Sequence, residues 1–246
     1  MNKKNKNQIV GVLGGMGSYA TLHFFEKFLE ATPAEKEWDR PRIIIDNRCT
    51  MPSRVRAILY KEERPLLVKL LADSVSNLIA AGATDIVLAC NTSHVFLDEV
   101  FEIVPEAKDK VRNIIKTVGK ALKANNITKV GLVATEGTIL SGIFEKTCIR
   151  YGVTVIPPSE DDFDEMRYLI EAVKHNDITE EICIRYVKLL KNQSEKSGSP
   201  NVILGCTEFP CIQSKVKKYK SAEDLLKSYS LNIWDPLQET IKLLTE

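Results

Sequence analysis

Two cysteines of this chain stand in nearly the same local setting, Cys90 in LACNTSH at 88 to 94 and Cys206 in LGCTEFP at 204 to 210. Each closes an apolar run and is followed at once by small hydrogen-bonding residues, Asn91 and Thr92 in one case and Thr207 in the other. One cysteine at the end of a buried strand is ordinarily a small hydrophobe, so it is the matched pair that asks for a chemical reason. Two opposed thiols suit the inversion of a carbon that bears hydrogen, because one group must remove a proton from one face while another delivers a proton to the opposite face. The reference pKa of a thiol, about 8.5, falls beside a cation or a helix N-terminus, so a thiolate and a thiol can coexist near neutrality. Their roles exchange with the direction of reaction. Free backbone N–H groups at the helix starts after each cysteine, with Asn91, Thr92 and Thr207, favour a bound carboxylate. The pattern fits a small amino acid as substrate.

The remaining reactive side chains read more plainly. Cys49, Cys148, Cys183 and Cys211 lack the paired setting and are taken as structural or incidental. No cysteine and histidine spacing matches a zinc site, so no metal is expected. His94, four residues after Cys90, reads as a packing or backbone-bonding histidine, and His23 and His175 carry no motif. Glu208 follows the second cysteine and could orient its thiol or bind an amino group, although acids are favoured in a helix first turn in any case. Gly15, Gly17 and Ala20 satisfy the loose G-x-G-x-x-A spacing of a dinucleotide turn. That alternative leaves the cysteine pair unexplained, and Asp46 lies beyond the usual place for a ribose-binding acid.

The elements that must position these residues alternate between strand and helix. Apolar runs at 8 to 14, 42 to 46, 85 to 89, 129 to 134, 153 to 156 and 201 to 205 read as strands, because they are short, continuous and bounded by turn residues. Helical periodicity follows Tyr19, covers 64 to 82, and recurs near 116 to 125, 138 to 150, 161 to 175 and 179 to 195. NIWDP near the end offers a short strand, with Asp235 as N-cap and Pro236 as first residue of a closing helix. Fully apolar strands between helices predict an α/β fold with mostly parallel sheets flanked by helices. The chain also repeats itself. GVLGGMGS at 11 to 18 lies on GLVATEGT at 131 to 138, and LACNT at 88 to 92 lies on LGCTE at 204 to 208. Two pseudo-symmetric domains are therefore expected, one of residues 1–112 with 225–246 carrying Cys90, the other of 113–224 carrying Cys206. Ligands of open α/β sheets sit beyond the carboxyl ends of the strands, which would set both thiols on one cleft.

Composition narrows the partners. Lys and Arg number 34 against 33 Asp and Glu in 246 residues, so no global field favours nucleic acid or an anionic membrane. No apolar run has the length to span a bilayer, and the polar start MNKKNKNQ reads as a solvated tail rather than a signal peptide. A cytoplasmic protein with six reduced cysteines is the expectation.

At GVLGGMG, IIIDNRCTMPSR, LACNTSH, VGLVATEGTILSG, LGCTEFP and the terminal DP, in that order over most of the chain, the sequence resembles the cofactor-independent aspartate/glutamate racemase family, closest to its aspartate racemase branch. The resemblance implies a two-base 1,1-proton transfer without pyridoxal phosphate or another cofactor, and a homodimer. It implies Cys90 as the base acting on the D-enantiomer and Cys206 as the base acting on the L-enantiomer. Asn91, Thr92, Thr135 and Thr207 are implied as α-carboxylate or α-amino contacts, the backbone at Gly15 and Met16 as the wall that closes the site, and Arg54 as the cation for a side-chain carboxylate. Phe163 departs from the pattern, standing where the branch carries a lysine for that carboxylate, and Thr50 stands where glutamine is common. Aspartate or glutamate is thus the first substrate expected, with a broad-specificity racemase of neutral amino acids as the rival. A cysteine-dependent diacid isomerase and a non-catalytic amino-acid-binding protein are further alternatives.

Overall fold

The computed structural model describes residues 8–245; the Lys-rich start of the chain lies outside them. The first half runs β1 (Ile9–Gly14), α1 (Ser18–Ala31), β2 (Arg42–Asn47), α2 (Arg54–Leu59), α3 (Arg64–Ala80), β3 (Asp85–Leu88), α4 (Leu97–Ile103), α5 (Ala107–Lys110) and α6 (Ile114–Ala124). The second runs β4 (Lys129–Val133), α7 (Glu136–Ser141), α8 (Ile143–Cys148), β5 (Thr154–Ile156), α9 (Phe163–Lys174), α10 (Glu180–Ser197), β6 (Asn201–Leu204), α11 (Phe209–Val216), α12 (Lys220–Tyr229), β7 (Asn232–Trp234) and α13 (Pro236–Thr245). The single helix expected over 138 to 150 is two, because the chain turns at Gly142 with φ of +65°.

Two parallel sheets result, in the orders β2-β1-β3 and β5-β4-β6-β7. The repeat seen in the sequence is thus a repeat of topology, with β1, β2 and β3 answering to β4, β5 and β6. Even β7 has a counterpart, since Val111 makes an isolated parallel bridge to Ile86 of β3, on the side where β7 lies against β6. β3 is buried along its whole length, as a strand covered on both faces must be.

The closing helix of each half reaches toward the other. α6 packs against α8 and α13, and α13 packs against α1 as well as α6. The strand before α13 does not follow it: Val202 pairs with Ile233, so β7 belongs to the second sheet, and α12 packs on α10 and α11 of the same half. Within the stretch 225–246 that the sequence reading grouped with the first half, the strand at 232–234 thus pairs with the second sheet. A strand needs a sheet edge for its backbone groups, and β6 supplies one. Asp235 caps α13, accepting the Leu237 N–H at 2.9 Å.

Two local devices fix the turns after the central strands. Gly15 adopts φ of +82°, and a Cβ there would lie 2.4 Å from the carbonyl carbon of Arg48, so only glycine lets the turn after β1 meet the loop after β2. After β3, the Ser93 hydroxyl donates to the Cys90 carbonyl at 2.8 Å, and the buried His94 ring bonds the same carbonyl through Nδ1 at 3.0 Å. His94 Nε2 accepts the Ile114 N–H at the head of α6, which makes Nδ1 the donor to Cys90. His94 therefore ties the Cys90 turn to the closing helix of its half, and burial lowers its pKa to about 4.

Two outcomes are expected. Gly15→Ala should cost about 1–3 kcal/mol in chemical denaturation, since it combines a left-handed backbone with a backbone clash. His94 is held neutral in the fold and protonates near pH 6.5 when unfolded, so its contribution is present above pH 6.5 and is lost as pH falls toward about 4. On the order of 3 kcal/mol is at stake, and the stability–pH slope over that window should flatten in His94→Gln.

Candidate active site

Cys90 and Cys206 follow the carboxyl ends of β3 and β6, the topologically equivalent strands of the two sheets, and both line one small cavity of about 70 Å³. Met16, Arg54, Asn91, Thr92, Thr135, Thr207 and Glu208 line it with them. Of the residues proposed from sequence, Gly15 contributes by shaping the turn that presents Met16. Phe163 is the exception: it does not line the cysteine cavity.

Lys174 replaces it. α9 runs past the cleft with Ile170 and Lys174, one turn apart, against the cysteine cavity, while Phe163 lies about three turns earlier in an adjoining space. A lysine eleven positions further along the same helix thus stands at this wall, paired with Glu171 at 2.6 Å. Helical spacing from Ile170 would have found it. Ser53, Val55 and Thr138 were also missed; Ser53 caps α2 by accepting the Arg56 N–H. Val55 and Ser53 adjoin the MPSR motif, and Thr138 lies one turn beyond Thr135 in α7.

The hydroxyls form a cluster between the halves. Thr92 Oγ1 lies 3.1 Å from Thr135 Oγ1 and 2.8 Å from Thr138 Oγ1, and the latter two are 2.9 Å apart. Thr135 also caps α7, accepting the Thr138 N–H at 3.3 Å, so its capping and cavity-lining roles coexist. Asn91 is only 2 % exposed, yet neither its side-chain oxygen nor its nitrogen has a partner. Such a group loses its hydration without compensation, and a ligand carboxylate and ammonium are complementary to its two ends. Arg54 donates to the carbonyls of Met16 at 3.0 Å and Pro52 at 3.1 Å, leaving its buried Nε without a partner.

The electrostatics at Cys206 are set by Glu208. The Cys206 thiol donates to Glu208 Oε2 at 3.0 Å, and the Thr207 hydroxyl donates to the same oxygen at 3.2 Å. Burial first, and then the negative charge of Glu208, push the Cys206 pKa well above the ordinary thiol range. Cys206 is therefore held as the thiol at neutral pH. Glu208 is itself buried and makes no ion pair with a basic side chain among the described residues. A buried carboxylate in that state is poised for a cation. Burial also raises Cys148 to about 12 and Cys183 to about 11, which suits packed, inert thiols.

Among the described residues no helix is long and apolar enough to cross a membrane. An aspartate racemase of Picrophilus torridus has a solved structure that superposes with a TM-score of 0.78 at 28 % identity, covering 97 % of this chain and 94 % of that one. The broad specificity amino-acid racemase RacX of Bacillus subtilis is 26 % identical over 234 residues, 89 % of this chain and 96 % of RacX. A glutamate racemase of Aquifex pyrophilus is 26 % identical over 148 residues, which span 60 % of this chain and 55 % of that enzyme. The model of the Asp/Glu/Hydantoin racemase family matches residues 13–235, through both cysteine turns and both sheets, and the chain belongs to that family.

Proposed function

We propose that this chain is a cofactor-independent amino-acid racemase in which Cys90 and Cys206 exchange the α-proton on opposite faces of the substrate. The observation that carries the reading is that two cysteines from equivalent strand ends of two equivalent sheets line one cavity. For a D-substrate, Cys90 Sγ takes the α-proton, the electron pair passes into the α-carboxylate as an enediolate, and the Cys206 S–H delivers its proton to the other face. The L-enantiomer leaves Cys90 protonated and Cys206 as thiolate, and the reverse reaction restores both. Asn91, Thr92, Thr135 and Thr207 bind the α-carboxylate, where the extra charge develops. Glu208 takes the α-ammonium. Its unpaired carboxylate favours an amino acid over a diacid, which would place a second anion beside it.

Arg54, whose buried Nε has no partner, brings positive charge to the cavity, which supports aspartate as the first substrate, while Lys174 stands paired with Glu171. The second reading, a broader racemase, is supported by the nearly full-length likeness to RacX. A cytoplasmic homodimer is part of the proposal, as is a division into lobes at about residue 112, with α13 returned to the first.

Chiral chromatography with mass spectrometry, on purified protein in deuterated water with a panel of L-amino acids, tests the reaction. Formation of the α-deuterated D-enantiomer without added cofactor is the expected result. Cys90→Ser and Cys206→Ser should each slow inversion about 10²–10⁴-fold with the fold intact by circular dichroism; turnover near that of the parent in either variant rejects the two-base mechanism. Glu208→Gln removes a negative charge beside Cys206, which lowers the thiol pKa. The basic limb of the D-to-L pH–rate profile should then move to lower pH, since Cys206 must be protonated to act in that direction.

A further inference from the structure

A second cavity adjoins the cysteine cavity and shares Ser53, Val55, Thr135, Ile170 and Lys174 with it. At about 190 Å³ it is more than twice as large, and cavities of about 150 Å³ already hold a benzene ring. The proton transfer has no use for this volume, because both thiols and, apart from the shared Thr135, every α-group contact line the smaller space alone. The larger one adjoins the reacting space at the residues that the two share, Ile170 and Lys174 among them.

Its lining states what it takes. Val55, Ala134, Phe163, Met166 and Ile170 supply an apolar wall. The charges around them are already matched: Arg167 bonds Glu136 at 3.2 Å and Asp164 at 2.7 Å, and Lys174 bonds Glu171 at 2.6 Å. A charged side-chain tip entering here finds no free counter-charge and must break a pair to gain one, whereas an apolar stem only displaces water. Beside it α2 and α7 pack closely, since a Cβ on Gly137 would stand 3.1 Å from Val55 Cα.

Resting on the racemase reading, we propose that this chamber is a side-chain subsite that extends the substrate range to uncharged, extended side chains of the norleucine and methionine class, with Phe163 setting its far limit. Phe163 lines this chamber and lies outside the cysteine cavity, so a change in its size alters the chamber without touching the residues around the reacting carbon.

The test is α-hydrogen exchange and inversion in deuterated water with L-alanine, L-aspartate, L-norvaline, L-norleucine and L-methionine. The expected result is turnover of norleucine and methionine, with kcat/KM rising along the neutral series from alanine. Phe163→Trp should lower the methionine-to-aspartate ratio of kcat/KM at least tenfold, and Phe163→Ala should move the optimum to a longer side chain; the second variant carries the test if the first fails to fold. Exchange of aspartate with norleucine and methionine inert overturns the chamber and leaves the racemase reading standing. So does a ratio that moves less than twofold in both variants. Exchange of no amino acid overturns the racemase reading and this proposal with it.

Discussion

The rest of the molecule depends on the packing of α6 against α13. Each is the closing helix of its half, each follows the strand or bridge at the same edge of its sheet, and each reaches across to the other half. A chain whose two sheets were joined only by a loop would leave the strand ends free to separate. Here the apolar stripe of α6, with Ile114, Ile115, Val118 and Leu122 buried, joins a core cluster that includes Phe24 and Phe28 of α1 and Leu237, Ile241 and Leu244 of α13. That shared core holds β3 and β6 so that their carboxyl ends open on one space. His94 then passes the position of α6 to the turn of Cys90 by bonding both.

The two cysteine turns are alike in sequence and unlike in electrostatics. Cys206 has a carboxylate as its hydrogen-bond acceptor, two residues along its own turn. Cys90 has Asn91 and Thr92 after it, and its carbonyl is held by Ser93 and His94. A fold that repeats its topology has not repeated its charges. Burial and the neighbouring carboxylate hold Cys206 as the thiol.

Much of this was legible in the residues because apolar periodicity and turn chemistry are local properties. The six principal strands, the cap at Asp235 and the duplication all follow from such patterns, and so do the cavity positions of Cys90, Cys206, Asn91, Thr92, Thr135, Thr207 and Glu208, which sit on strand-end turns whose direction the sheet dictates. Lys174 was not legible in that way. It reaches the cavity from the flank of α9, and which flank faces the cleft depends on how that helix lies against both halves. Phe163 shows the same difficulty, since a position matched along the sequence misplaces a side chain when the helix carries it about two turns from the nearest cavity-lining residue, Ile170. The fate of β7 needed the sheet itself, because a three-residue strand goes wherever an edge will accept its backbone groups.

The threonine cluster has a consequence in the counting of protons. Three hydroxyls own three protons, and three mutual hydrogen bonds consume them all. The ring they make can run in either sense, and in neither sense does it keep a proton to offer a ligand. A carboxylate that docks against Thr92 or Thr135 must therefore recruit a proton from the ring, opening one of its edges. Two of those edges, Thr92 to Thr135 and Thr92 to Thr138, also join the halves of the molecule. The same protons thus serve either adhesion between the halves or recognition of the ligand, and occupancy of the site is coupled to the seam on which the site is built.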